Sequence, residues 1–204
     1  MKKMLIILAI CGICTGARAQ EKFYEVKSGV VTMEMDMMGR KVVQEIYFDD
    51  YGAKQATIMD VRGKKMRGIE VDGKNVMIND KEMTAVHMPE MGMNTEKINF
   101  TDKSDKNIRK NKIKELGTEV IADKECTKYS VAIFMMGQVV KQIVWVYKGV
   151  TLKSSIKTDF GEMVQQATKF VEDIEIPAET FILPEGIEIQ EMRMPPMGGG
   201  GGEF

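Results

Sequence analysis

Histidine and tryptophan are almost missing from this chain, which has one of each among its 204 residues. Any Ser-His-Asp or Cys-His centre would have to use His87, because such centres need a histidine as their base. The sequence also contains no G-x-S-x-G nucleophile elbow and no P-loop. We therefore predict a protein that is not an enzyme and that carries no cofactor.

Cysteine is also scarce, and the positions of the three cysteines exclude a disulfide framework. Cys11 and Cys14 lie in the apolar start of the chain, so Cys126 is alone in the remainder. Such a cysteine is either a small buried residue or a reactive thiol. We interpret Cys126 as buried, because free cysteine is among the most buried residue types.

The chain begins with the features of an export signal. Two lysines follow the first methionine, and residues 4–16 form an apolar run that is too short to cross a bilayer. Ala17-Arg18-Ala19 then has the small-x-small pattern of a cleavage site. This predicts a signal peptide over 1–19, a mature chain from Gln20, and a periplasmic location that includes the periphery of the outer membrane.

Other destinations and partners fit the sequence poorly. A lipoprotein signal would need a small residue before its cysteine, whereas Cys11 and Cys14 both follow isoleucine. No segment after residue 19 is long and apolar enough to span a membrane. The chain has 29 basic and 30 acidic residues, and the signal removes basic ones, so we expect no binding to nucleic acid.

Short alternating segments separated by Gly and Asp turns predict a chain made mainly of β-strands. We expect one domain over 20–190, because a chain of this length buries about 70% of its unfolded surface in a single core. Residues 102–116 predict one helix that ends at Gly117, and residues 162–176 fit both a helix and a strand. The Met-, Pro- and Gly-rich tail over 191–204 predicts disorder. The predicted strands cover 24–36, 41–49, 53–61, 66–71, 75–78, 118–122, 125–136, 139–147 and 150–158.

Two stretches that begin 98 positions apart share a hairpin pattern: Met33-Glu34-Met35-Asp36-Met37-Met38-Gly39 and Val131-Ala132-Ile133-Phe134-Met135-Met136-Gly137. Side chains alternate between the two faces of a strand, so the methionines of the first stretch share one face and its acids the other. The even offset preserves this alternation in the second stretch. Internal duplication and two unrelated hairpins with similar turns remain equal alternatives.

Methionine is the unusually abundant residue, with 19 in the chain. Its flexible thioether side chain fills irregular cores and lines surfaces that accept irregular apolar ligands. We therefore predict packed core or the wall of an apolar cavity at Met33, Met35, Met37, Ile133 and Met135. Thioethers also bind Cu(I), which gives an alternative metal site drawn from Met33, Met35, Met37, His87, Met88, Met91 and Met93.

Three stretches at turns and strand ends carry a family resemblance: IYFDDYGAK at 46–54, LGTEVIADKEC at 116–126 and FILPEG at 181–186. They resemble an uncharacterised bacterial envelope family that is similar to the outer-membrane lipoprotein carriers and receptors of the LolA/LolB type. The resemblance implies a mainly β fold with minor α, which is a curved antiparallel sheet or unclosed β-barrel with a helix covering its concave face. It favours a strand for 162–176. The basic and aromatic functional residues of the carriers have no match here, so none is carried over.

The resemblance also implies a function, because the cavity of the carriers takes acyl chains. The predicted function is non-enzymatic binding of a lipid, a lipoprotein acyl chain or another hydrophobic envelope component in an apolar cavity. The expected partner is a lipid or an acylated envelope protein. Two alternatives stay open, which are periplasmic Cu(I) binding and a structural envelope role without a ligand.

Overall fold

The computed structural model describes residues 22–37, 40–61, 63–88, 97–135, 137–158 and 161–191. Within these ranges the chain forms twelve β-strands, one α-helix and two short 3-10 helices at Asp50–Gly52 and Ala178–Phe181. The predicted signal peptide and the predicted tail beyond residue 191 lie outside the described residues. The elements are β1 (Gly29–Met37), β2 (Arg40–Asp49), β3 (Lys54–Val61), β4 (Lys64–Val71), β5 (Lys74–Asn79), β6 (Thr84–His87), α1 (Asp105–Asn111), β7 (Lys114–Ile121), β8 (Lys124–Met135), β9 (Gln138–Tyr147), β10 (Val150–Thr158), β11 (Gly161–Glu172) and β12 (Ile189–Glu191).

All twelve described strands belong to one sheet in the order β12-β6-β5-β4-β3-β2-β1-β11-β10-β9-β8-β7. Every neighbouring pair is antiparallel except β12 and β6, which are parallel. The sheet does not close on itself, since β12 and β7 form its two ends. The prediction of a mainly β fold with a curved, unclosed antiparallel sheet and one helix is confirmed.

The predicted helix over 102–116 is too long. Ser104 caps α1 by accepting a hydrogen bond from the Asn107 amide, but Lys112 already takes a left-handed conformation with φ 48° and ends the helix. None of the helical residues is buried, so no apolar face supports a longer helix. Gly117 therefore lies inside β7, where a register shift marks a bulge against β8.

The structure corrects the predicted start of the first strand and resolves the ambiguous segment 162–176. The first strand does not start at residue 24, because Phe23 and Tyr24 donate their backbone amides to the Tyr51 carbonyl and the chain enters the sheet only at Gly29. The ambiguous segment 162–176 is a strand for most of its length, as the family resemblance favoured. This strand, β11, lies between β1 and β10 and joins the two halves of the sheet.

The two hairpins that share a sequence pattern also share a register. Met35 pairs with Val42 in the first, and Ile133 pairs with Val140 at the equivalent positions of the second. The second strands, β2 and β9, have bounds that differ by the same 98 positions. The similarity thus extends from sequence to strand pairing.

The core consists of three clusters. The largest surrounds Phe48 and Leu152 and extends from β1 and β2 to Trp145 and Cys126. A second cluster around Ile69 and Ile78 packs under the C-terminal segment at Ile187. In the third, Phe100 packs on β8 and β9 together with Ile98 and Ile113, which flank α1. The chain between β6 and β7 therefore covers part of the sheet through residues beside the helix.

Cys126 lies inside the largest cluster and is 0% exposed. Burial raises the pKa of its thiol to about 11, so the reactive thiolate is scarce at neutral pH. The interpretation of this cysteine as a small buried residue is confirmed.

The interactions of Glu172, at the end of β11, predict how the free energy of unfolding changes at acidic pH. Partial burial alone raises the pKa of Glu172, but hydrogen bonds from Lys124 at 2.5 Å and Lys148 at 2.9 Å outweigh it and hold the pKa below its usual value. A carboxylate with a lowered pKa stabilises the fold above its unfolded pKa and loses this contribution as the pH falls through its folded pKa. Glu172→Gln should therefore flatten the loss of unfolding free energy on acidification, as measured by urea titrations between pH 7 and pH 3. Glu125→Gln, at an exposed site, should keep the wild-type slope; equal slopes for all three proteins would contradict the prediction.

Candidate functional site

One face of the sheet carries the methionines of the central strands. Met33 pairs with Gln44, which pairs with Met59, which in turn pairs with Met66. Directly paired residues of neighbouring strands lie on the same face, so this row shares a face with Met35 and Met77. We call the face that carries Met33, Met35, Met59, Met66 and Met77 the methionine face.

A groove of about 990 Å³, which we call the central groove, is lined by β3, β4 and β5. The paired residues Thr57, Gly68 and Met77 line it from the methionine face, and Met59 and Met88 also line it. The lining further includes Ile69 and Val76 of the opposite face and extends to the C-terminal segment at Ala178, Phe181 and Ile182. Gly68 has no side chain that could extend into the groove. A Cβ at Gly68 would lie 3.8 Å from both the Met77 Cε and the Thr57 carbonyl oxygen, which is ordinary contact.

A partly buried cation borders the central groove. The Lys97 Nζ donates a hydrogen bond to the Gly52 carbonyl at 2.7 Å. It also lies 4.5 Å from the centre of the Phe23 ring and 4.2 Å from that of Tyr24. Burial lowers the pKa of Lys97 to about 8, although the charge of Glu70 partly opposes this shift. A substantial fraction of this lysine is therefore uncharged in mildly alkaline solution.

Polar side chains share the lining of the groove with Lys97. Gln55 donates to the Tyr24 hydroxyl at 2.6 Å, and burial raises the pKa of that hydroxyl. Glu70 and Asn75 form a cross-strand pair on the same face as Gly68 and are exposed. The lining of the groove thus combines apolar side chains with amide, carboxylate and ammonium groups.

The predicted cavity residues occupy the methionine face but two different environments. Met33 is 3% exposed in the largest core cluster, and Met35 is half-buried beside it on β1. Pairing continues this face from Met35 through Gln165, Ser154 and Val144 to Tyr129, which lies on the same side of β8 as Ile133 and Met135. Ile133 packs against the third cluster, and Met135 is half-buried. The side chain of Met37 lies outside the described part of the chain.

The separation into clusters follows from the strand order. Three strands, β11, β10 and β9, lie between β1 and β8. Residues that share a face by sequence parity can therefore be far apart in the sheet and pack against different neighbours. Register shifts also interrupt the ladders between Thr32 and Met33 and between Thr151 and Lys153. The ligand-binding role of the predicted cavity residues stays a prediction.

The residues of the alternative copper site lie in two separate places. Four strands separate β1, which carries Met33 and Met35, from β6, which leads into Met88. At about 4.8 Å per strand step this is roughly 24 Å, so the two groups cannot bind one ion. His87 Nδ1 lies 2.8 Å from Glu191 Oε2, and Met91 and Met93 lie outside the described residues. In the described ranges no three His, Cys, Asp or Glu side chains come together as a metal site. Cu(I) binding by either methionine group alone stays a prediction.

Sequence reasoning missed the residues that shape the groove. Gly68 was interpreted only as part of a strand, although a glycine inside a strand can mark a close approach or a hollow. Lys97 has no periodic sequence pattern around it, so no local signal marks it. Its partners are 45 positions away at Gly52 and further away at Phe23.

No family model matches the chain, and no curated protein matches it. Among solved structures, an uncharacterised conserved protein of Thermus thermophilus is similar with a TM-score of 0.54 and 7% identity, covering 82% of this chain and 92% of the other. A chain of the MucA/MucB complex of Pseudomonas aeruginosa is similar with a TM-score of 0.48 and 13% identity, covering 76% of this chain and 55% of the other. This chain therefore spans about half the length of that one. A Vibrio parahaemolyticus domain described as a putative outer membrane lipoprotein-sorting protein is similar with a TM-score of 0.40 and 12% identity, covering 76% of this chain and 89% of the other. At such identities the Thermus protein shows a shared fold and nothing about activity.

Among the described residues, no helix has the length and apolar character that crossing a membrane requires.

Proposed function

We propose that the protein binds a hydrophobic component of the cell envelope, such as a lipid or an acyl chain, in the central groove. One observation carries the proposal, which is the groove of about 990 Å³ that Gly68 lines together with Met59, Met77 and Met88. Ligand pockets in proteins typically measure about 300–1,000 Å³, so the groove has room for a lipid-sized molecule. Export to the periplasm, with cleavage after Ala19, is part of the proposal.

The side chains around the hollow suit a flexible apolar ligand. Met59, Met77 and Met88 line the groove, and each has an unbranched side chain that can adjust to the ligand. Burial of apolar surface favours binding at roughly 25 cal/mol per Å², without any need for directional contacts. A groove of this kind takes alkyl chains without strict selection for their shape.

Gly68→Phe tests the proposal, because Gly68 lines the groove and the added ring would take up part of its volume. The Cβ meets its neighbours at ordinary distances and the backbone of Gly68 needs no positive φ, so the fold should tolerate the change. We expect the affinity for the neutral fluorescent probe N-phenylnaphthylamine to fall by at least about tenfold, which is 1.4 kcal/mol.

Lys65→Phe is the matched control, since Lys65 is exposed on the same strand but on the opposite face. It should bind the probe as the wild type does, and circular dichroism melting should show that both variants fold. If Gly68→Phe binds the probe with wild-type affinity, or if the wild type does not bind it, the proposed function is wrong.

A further inference from the structure

Lys97 differs from the other charged residues that line the central groove. Lys54 and Glu70 are exposed, whereas Lys97 is partly buried against two aromatic rings. An ammonium group has three hydrogen-bond donors, and within the described residues Lys97 uses one of them, to the Gly52 carbonyl. No carboxylate of the described ranges lies within ion-pair distance of it.

A partly buried ammonium without a bound counter-charge is unfavourable, because burial removes water that would otherwise solvate it. An anion that enters from the groove would supply the counter-charge that the described residues do not provide, and would accept the remaining hydrogen bonds. Among the described residues, the ammonium group contacts the Phe23 and Tyr24 rings and the Gly52 carbonyl, and Lys97 also lines the groove. An anionic group at Lys97 would therefore lie at the border of the apolar hollow.

We propose that Lys97 binds the head group of a long-chain carboxylic acid whose alkyl chain lies in the central groove. This inference rests on the proposed function and names the class of ligand. A single negative charge fits better than a phosphate, because the nearby Glu70 carboxylate would repel a more highly charged head group. Lys97 acts here as a specificity-determining residue, since a neutral chain of equal length would gain nothing from it.

The proposal predicts a dependence on pH as well as on charge. Lys97 must be protonated to bind the carboxylate, and its pKa of about 8 places the loss of its charge in an accessible range. The other charged groups that line the groove are Lys54 and Glu70, and the buried Tyr24 hydroxyl stays neutral because burial raises its pKa. Affinity for a carboxylate should fall as the pH rises through 8, whereas affinity for a neutral alcohol should not change.

The experiment measures how well dodecanoate and dodecanol displace N-phenylnaphthylamine at pH 7 and pH 9. The wild type should prefer dodecanoate at pH 7 and lose most of this preference at pH 9. Lys97→Met keeps the length of the side chain without its charge and should weaken dodecanoate at pH 7 by at least about tenfold, with dodecanol unchanged. Lys97→Arg should keep the preference, and Lys65→Met, at an exposed lysine on the opposite face of β4, should behave as the wild type.

The outcomes separate this inference from the proposed function. If the probe and dodecanol bind but the wild type shows no preference for dodecanoate, the proposed role of Lys97 is wrong. The proposed binding of apolar ligands in the central groove is then still supported. If Lys97→Met retains the preference, or if the preference is the same at pH 7 and pH 9, the role of Lys97 is also wrong. If neither the probe nor either competitor binds the wild type, both proposals fail. If circular dichroism shows that Lys97→Met is unfolded, the role of Lys97 is tested by the wild type alone, through the change of its dodecanoate preference between pH 7 and pH 9.

Discussion

Phe48→Ala should lower the free energy of unfolding by about 3–5 kcal/mol, because it removes a large ring from the centre of the core. Phe48 is 0% exposed in the largest cluster. Its ring meets Tyr24 edge to face at a centroid distance of 4.9 Å and lies 6.1 Å from Phe170. The ring also packs over Gly29, where a Cβ would come within 2.8 Å of the Phe48 Cζ. These neighbours belong to different strands or to the N-terminal segment, so the cavity has little freedom to collapse.

Urea unfolding at pH 7 measures this loss, and Phe134→Ala provides the control. Phe134 is 46% exposed on β8, so its truncation should change the unfolding free energy by well under about 1 kcal/mol. Similar losses for the two variants would show that Phe48 is not at the centre of the core.

Arg67→Met should lower the unfolding free energy by about 3 kcal/mol and loosen the C-terminal segment, because hydrogen bonds to a charged group contribute about 1.5–3 kcal/mol each. The Arg67 side chain is 8% exposed, and its guanidinium donates two hydrogen bonds to Asp80 at 2.6 and 3.0 Å. The same group also donates to three carbonyls of the C-terminal segment, those of Glu179, Thr180 and Ile182. Methionine keeps much of the volume but leaves these carbonyls without their donor.

Two measurements distinguish local from global loss. Urea unfolding should give the lower stability, and limited proteolysis should cleave Arg67→Met after the end of β11 faster than the wild type. Arg109→Met is the control, since the ion pair of Arg109 with Asp105 on α1 is exposed and contributes little. Unchanged proteolysis in Arg67→Met would show that other contacts hold the segment.

The hairpin prediction succeeded because it depends on a local rule. Alternation with period two requires only the backbone of a strand, so Met33 and Met35 share a face wherever that strand lies in the sheet. The same rule preserves the face from Ile133 to Met135. It does not identify neighbours, and Met33 and Ile133 pack in different clusters because three strands lie between β1 and β8.

The helix prediction failed where local propensity competes with pairing. Leu116 lies at a helical spacing from Ile113, but Lys114 and Glu115 pair with Ser130 and Tyr129 of β8 and make this segment part of β7. Segment 161–172 shows the same effect, since its pairing with β1 and β10 makes it a strand. Its partner β1 lies far away in the chain, so that pairing leaves no mark on the local pattern.

The sequence by itself determined the mainly β character, the alternation within each hairpin and the burial expected of an isolated cysteine, because these depend on composition and near neighbours. Only the tertiary structure decided where the groove lies and which cation borders it. Gly68 lines the groove beside Thr57 and Met77, which lie on separate strands, and Lys97 reaches Gly52 across 45 positions. Both features arise from contacts between distant segments, which no local pattern of residues encodes.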